Sequence, residues 1–284
     1  MNRLTLLGYH LGMSCSLRRV TRAVTLVATV AALAACPPNT FTPDEVPTNA
    51  KLYEASVHAA QRGNWNLASK GFEQLTFQLP ARDPMLPQAY FHLGEAHQQL
   101  NEYILAAQAF SRIPENFPED TLAGPATYQA GLSYAKLWKR PDLDADYGVT
   151  ALSTFQSFLA AFPDSPLRDS AQLRIEHLNE MFAEKSLQTG KIYSKEGAYD
   201  SSIIYFKDVI AHYPQTKAAK SAMIGLVKAY RAISYREDAA ETCATLHQKY
   251  PSDQDVVATC GKAAASGTAP AAPPAPSAAP TAKP

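Results

Sequence analysis

The sequence has little on which chemistry could be built. Its seven histidines are scattered. No His-Glu-x-x-His pair, phosphate loop, dinucleotide glycine fingerprint or Gly-x-Ser-x-Gly elbow occurs. His92 and His97 are five apart, a spacing that does not put two side chains on one helical face. Spaced acids at Asp142, Asp144 and Asp146 begin like a calcium loop, but Gly148 falls one residue late and Ser153 stands where the closing glutamate is needed. No metal, cofactor, small-molecule substrate or catalytic activity is therefore expected. An excess of one charge is lacking too, with 26 basic and 26 acidic residues. No basic stripe with interleaved aromatics is present, which argues against nucleic acid as a partner.

Long apolar runs are also missing. A membrane-spanning helix needs about 20 such residues, whereas Ala23–Ala35 is an uncharged run of 13. Behind Arg18, Arg19 and Arg22 this run suits the core of a signal peptide. It ends in Leu33-Ala34-Ala35-Cys36, which resembles the cleavage box of bacterial lipoproteins. That resemblance implies removal of residues 1–35 and lipid attachment at Cys36. Several acyl chains anchor far more firmly than one, since each buried methylene contributes about 0.8 kcal/mol. The basic stretch begins late, so Met13 is a second candidate start. Pro37 after the cysteine favours the outer membrane. Losing residues 1–35, with four arginines and no acid, leaves 22 basic residues against 26 acidic ones. Residues 36–49, rich in Pro, Thr and Asn, read as an extended tether.

Only four cysteines occur. Cys15 lies in the signal segment and Cys36 is assigned to lipid. Cys243 and Cys260 remain, in a compartment that permits disulfides. Either they bond, folding a short segment back onto the last helix, or they stay free thiols with Cys243 in a buried helix position.

What is abundant is internal repetition. Pro80, Pro118, Pro163, Pro214 and Pro251 each follow, by eight residues, Phe72, Phe110, Phe155, Phe206 and Cys243. Four residues earlier stand Ala68, Ala106, Ala151, Ser202 and Ala239. The small residue lets two helices approach, the aromatic fills the groove between hairpins, and the proline stops the helix. Gly94, Gly131 and Gly190 are each followed three residues later by His97, Tyr134 and Tyr193, and Gly63 and Gly197 mark turns. The third repeat carries about eight extra residues (139–146). The fifth lacks the aromatic, and its glycine is displaced to Gly225.

This pattern predicts an all-α tetratricopeptide-repeat superhelix of about five hairpins over residues 50–252. Ten helices are expected near 48–62, 64–79, 86–100, 102–115, 121–138, 144–162, 166–196, 198–213, 216–233 and 236–249. Ser165 before Pro166 reads as the cap of an unusually long seventh helix. Residues 253–284 read as a short extension followed by a disordered Pro/Ala tail. Such arrays present a groove lined by the first helix of each hairpin. The repeat register puts Tyr53, Phe91, Glu95, Gln98, Gln99, Tyr128, Lys136, Lys191 and Lys195 there. Tyr53, Phe91 and Tyr128 would supply aromatic walls, and Gln98 and Gln99 polar rims, for an extended apolar segment.

The central and C-terminal repeats go beyond the generic pattern. Ala151-Leu-Ser-Thr-Phe155-Gln-Ser-Phe158-Leu, Phe162-Pro-Asp-Ser-Pro166, Gly190-Lys-Ile-Tyr193, Gly197-Ala-Tyr199, Ser202-Ile-Ile-Tyr-Phe206 and Tyr213-Pro-Gln-Thr216 are similar to segments of the BamD (ComL) family of outer-membrane β-barrel assembly lipoproteins. The resemblance covers roughly residues 50–250 and implies a non-enzymatic scaffold, lipid-anchored at the outer membrane and facing the periplasm. It implies that the C-terminal hairpins hold a BamA-like barrel protein. The N-terminal hairpins would then receive the targeting segments of unfolded barrel precursors. A second reading is a periplasmic repeat lipoprotein that coordinates peptidoglycan synthesis with envelope constriction. Members of that group often carry an N-terminal coiled coil, which this sequence lacks.

Overall fold

The computed structural model describes residues 41–262. The signal segment, Cys36 and the Pro/Ala-rich stretch from residue 263 lie outside the described residues. These form one short 3-10 turn, Pro43–Glu45, and eleven α-helices, with no strand among them. The helices are α1 (Asn49–Gln61), α2 (Trp65–Gln78), α3 (Leu86–Gln99), α4 (Tyr103–Asn116), α5 (Ala123–Leu137) and α6 (Asp146–Ala161), followed by α7 (Arg168–Lys195), α8 (Tyr199–His212), α9 (Lys217–Ala232), α10 (Arg236–Lys249) and α11 (Gln254–Cys260). The first ten match the ten expected from the sequence to within a few residues. α11 is an addition, nucleated by Asp253, whose carboxylate accepts the N–H groups of Asp255 at 3.0 Å and Val256 at 3.3 Å. The expected tether is not extended throughout its described part. Its 3-10 turn lies against α2, where a Cβ on Gly71 would come within 3.2 Å of the Phe41 ring.

The chain divides into two compact units, one ending at Ala96 and the other beginning at His97, with the division inside α3. In the first, α1 and α2 pack as a hairpin. Thr48 caps α1 and Asn64 caps α2 through side-chain oxygens that accept backbone N–H groups. In the second, α4 packs on α5, α5 on α6, α6 on α7, α7 on α8, α8 on α9, and α9 on both α10 and α7. This is the pattern of tetratricopeptide-type hairpins, in which each hairpin covers the apolar face of the next.

The repeated residues occupy the roles their spacing suggested. Phe72, Phe110, Phe155 and Phe206 are at most 1% exposed, and Ala68, Ala106, Ala151 and Ser202 are fully buried. Glycines make room for two of the rings. A Cβ on Gly131 would lie 2.9 Å from Phe155, and one on Gly190 would lie 2.7 Å from Phe206. The displaced Gly225 of the fifth repeat meets the same Phe206 ring from α9, again at 2.7 Å.

Four of the turns between paired helices share one closure. Gly63, Asn101, Gly197 and Ser234 have φ of 77°, 62°, 80° and 64°. In each, the N–H of the following residue reaches back to a carbonyl one turn earlier, as in Tyr235 N–H to Tyr230 O at 2.8 Å and Ala198 N–H to Tyr193 O at 2.9 Å. That bond satisfies a carbonyl the helix end leaves orphaned. The fifth hairpin is therefore closed like the others, although a serine stands where glycine would be strain-free. The third hairpin instead carries the insertion, held to α7 by Lys185 Nζ, which donates to the carbonyls of Pro141 and Leu143 at 3.2 and 2.8 Å.

The long helix is present as α7, 28 residues or about 42 Å at 1.5 Å per residue. Ser165 does not cap it directly. Its hydroxyl accepts the Leu167 N–H at 3.3 Å and shapes the turn just before the helix.

Candidate functional site

In the first unit, three rings from three helices cluster. Tyr53 on α1 lies edge-on to Phe72 on α2, and His92 on α3 stacks on Phe72 with centroids 5.3 Å apart. Phe91 lies edge-on to His92 at 6.3 Å. Glu95 is one helical turn from His92, and its carboxylate sits 2.7 Å from the His92 Nδ1. Partial burial, followed by the nearby Glu95 carboxylate, pushes the Tyr53 hydroxyl above its ordinary pKa. Tyr53, Phe91 and Glu95, expected in the groove, are thus half-buried neighbours. His92, dismissed on sequence as a scattered histidine, joins them.

In the second unit, the end of α3 meets α5. The Gln98 amide donates to Ser133 Oγ at 2.9 Å and to the side-chain oxygen of Gln129 at 3.2 Å. Gln98 and Lys136 border a cavity of about 640 Å³ whose apolar lining includes Leu132, Leu178 and Met181. Its lining carries the cations Lys136, Lys139 and Arg174, with the His177 ring beside them and no carboxylate. The indole N–H of Trp138, a lining residue 2% exposed, has no hydrogen-bond partner. Gln99 is exposed and is not among the lining residues. Asp142 pairs with Arg140 at 2.9 Å, and Asp144 accepts the Asp146 N–H at 2.9 Å, so these acids shape the insertion and its surface.

Tyr128 is a correction. It is 8% exposed and lies 5.6 Å from Phe155 and 5.8 Å from Phe158, ring to ring. Its position in the register is right, but the small neighbours Gly124 and Gly131 on α5 let the helices close over it. The ring is core and not a groove wall.

Lys191 and Lys195, at the end of α7, border a second cavity of about 530 Å³ together with Lys228 on α9 and part of α11. Cys243 and Cys260 form a disulfide with Cα atoms 5.6 Å apart, joining α10 to the end of α11.

Compared with known proteins, residues 46–246 match the family model described as YfiO, outer membrane lipoprotein. The chain belongs to this family. The hairpins described above therefore account for nearly the whole of the family's matched segment. The outer membrane protein assembly factor BamD of Caulobacter vibrioides is 28% identical over 72% of this chain and 66% of its own length, just under two thirds. The factor of the same name from Rickettsia prowazekii is 24% identical over 74% of this chain and 84% of its own. Among solved structures, a tetratricopeptide-repeat protein from Bacteroides fragilis shares 12% identity over 75% of this chain and 96% of its own, with a TM-score of 0.47.

Several lining residues were not singled out from the sequence. Arg174, Leu178 and Met181 recur at helical spacing on α7 and form one stripe, a signal that was available. Lys228 could not be placed, because its meeting with Lys191 needs the α7–α9 contact, which the hairpin register alone does not specify.

Proposed function

We propose that this chain is a non-enzymatic scaffold of outer-membrane β-barrel assembly, lipid-anchored through Cys36 and facing the periplasm. Its C-terminal hairpins, residues 183–249, hold a BamA-like barrel protein. The aromatic cluster of Tyr53 and Phe91, with Glu95 beside it, receives the targeting segments of barrel precursors. Gln98, Gln99, Lys136, Lys191 and Lys195 stand as the polar contacts to these partners. The observation that carries the reading is the family match across 46–246, which coincides with the hairpin array. The cavity beside Gln98 and Lys136 supports it physically. An apolar floor with a donor-rich rim suits a polypeptide segment, whose apolar side chains are buried while its backbone carbonyls and acids are paired.

The test is a pull-down with the tagged chain from detergent-solubilised envelopes, with bound proteins identified by mass spectrometry. Near-equal recovery of a BamA-like barrel protein is expected. Recovery of cell-wall synthases or division proteins without such a barrel would refute the assembly role in favour of peptidoglycan coordination. Acyl-labelling of Cys36, abolished by Cys36→Ala, tests the anchor separately.

A further inference from the structure

The cavity of about 530 Å³ beside Lys191 has walls of two origins. Helices α7, α8 and α9 supply most of the wall, and α11 supplies the rest through Asp255, Ala258 and Thr259. α11 has only seven residues and would not hold its place alone. Four interactions fix it. The Cys243–Cys260 disulfide pins its end, and Lys220 Nζ meets Asp253 Oδ2 at 2.6 Å. Arg231 Nη1 donates to the Thr259 carbonyl at 2.6 Å, and Val256 is fully buried.

The rim of the completed cavity carries Lys191, Lys195 and Lys228, all exposed. None of the three belongs to an ion pair among the described residues. The one acid in the lining, Asp255, lies 3.6 Å from Lys220 and so shares its charge with a cation outside the lining. The rest of the lining is mixed: Phe206, Ile224 and Ala258 are apolar, and Ser194, Ser221 and Thr259 add hydroxyls.

We propose that this cavity, completed by the disulfide-held α11, docks an acidic segment of a partner protein. Carboxylates of the segment meet the lysine rim, and an apolar side chain between them rests against Ile224 and Ala258. Three unmatched ammonium groups call for anionic acceptors, and charge-assisted hydrogen bonds are the stronger kind. The Ile224 and Ala258 side chains favour a polypeptide, whose own apolar side chain can cover them, over a phospholipid headgroup. Exposed lysines at a rim also speed encounter with an acidic partner. The inference rests on the reading of Lys191 and Lys195 as partner contacts and adds the chemistry of the segment they meet, whichever protein carries it.

The test uses the purified full chain and a fluorescein-labelled, capped peptide with Glu-Leu-Glu at the centre of a Gly/Ser frame, read by anisotropy. A matching Lys-Leu-Lys peptide and phospholipid vesicles with and without anionic lipid serve as comparisons. The acidic peptide should bind, and binding should weaken at least about tenfold in Lys191→Glu/Lys228→Glu. That variant changes only exposed side chains and should keep the parent's unfolding midpoint. Cys243→Ser/Cys260→Ser should also weaken binding, because the end of α11 loses its covalent tie to α10. Failure of the unmutated chain to bind, equal binding of the basic peptide, or unchanged affinity in Lys191→Glu/Lys228→Glu would overturn the docking site. Vesicle binding that is lost in Lys191→Glu/Lys228→Glu, without peptide binding, would reassign the rim to lipid. Unchanged affinity in the cysteine variant would overturn the part given to the disulfide.

Discussion

Alanine at Gly190 or Gly225 should destabilise the protein, although alanine is the better helix former. Both glycines lie inside helices, where replacing Gly by Ala ordinarily gains about 0.5–1 kcal/mol. Here an added Cβ would lie 2.7 Å from the Phe206 ring at either position. Carbon atoms settle near 3.5–4.0 Å, so the ring would have to retreat by about 1 Å. It has nowhere to go, being 1% exposed, with Gly190 against its Cδ1–Cε1 edge and Gly225 against its Cε2–Cζ end. Overpacking of this kind costs about 1–3 kcal/mol. Less the gain in propensity, each single variant should lose about 1–2 kcal/mol. In a Phe206→Leu background the clash is relieved, and Gly225→Ala should become neutral or stabilising. The cycle isolates the coupling between the two positions. The assay is urea unfolding, comparing midpoints at constant slope. If Gly190→Ala and Gly225→Ala both raise the midpoint in the Phe206 parent, the steric account of these two positions is wrong.

Ser234 holds φ of 64°, a conformation that costs a residue with a Cβ about 1 kcal/mol or more. Ser234→Gly should therefore raise the unfolding midpoint, and a fall would mean the serine side chain contributes more than the strain. Tyr128→Ala should cost about 3 kcal/mol or more, as for other large core rings. If it instead weakened precursor binding at unchanged stability, Tyr128 would return to the groove. Cys243→Ser/Cys260→Ser opens a loop with a sequence separation of 17, which the chain-entropy estimate values at about 3 kcal/mol. Thermal unfolding with and without reductant should reproduce the variant's loss in the parent alone. The Lys220 ammonium holds the Asp253 carboxyl below its ordinary pKa. A carboxyl lowered in this way contributes stability that is fully present above its unfolded-state pKa and is lost as pH falls through the lower folded value. Protection of α11 amides from hydrogen exchange should fall across that acid window in the parent and do so less steeply in Lys220→Met, where only the Asp255 and Val256 N–H groups still hold the carboxyl down.

The helices were legible because their determinants are local. A small residue, an aromatic four residues on and a proline eight beyond that report packing and termination within one hairpin, and Ala106, Phe110 and Pro118 were read correctly without any structure. Tyr128 was misplaced because the register gives a direction but not the distance to the next helix, which Gly124 and Gly131 shorten. α11 was missed because seven residues carry too little periodicity to stand out. What holds it, from Lys220, Arg231 and Cys243, comes from far back in the chain. The basic lining of both cavities was half legible. Lys136, Lys191 and Lys195 sit on first helices in register, whereas Arg174 and Lys228 become neighbours of these lysines only through contacts between hairpins.

The helix α7 belongs to two hydrophobic clusters at once. Ala171, Ile175, Leu178 and Phe182 lie in one, and Ala183 and Leu187 in the other. Each half alone is about 14 residues, a length at which an isolated helix is marginal in water. Neither core can therefore melt by itself without leaving the other with a fraying end. The unit from His97 onward should behave as a single cooperative block in which slow amide exchange spans both clusters. A ligand that stiffens one half of this rod would then be felt at the other with no change of shape.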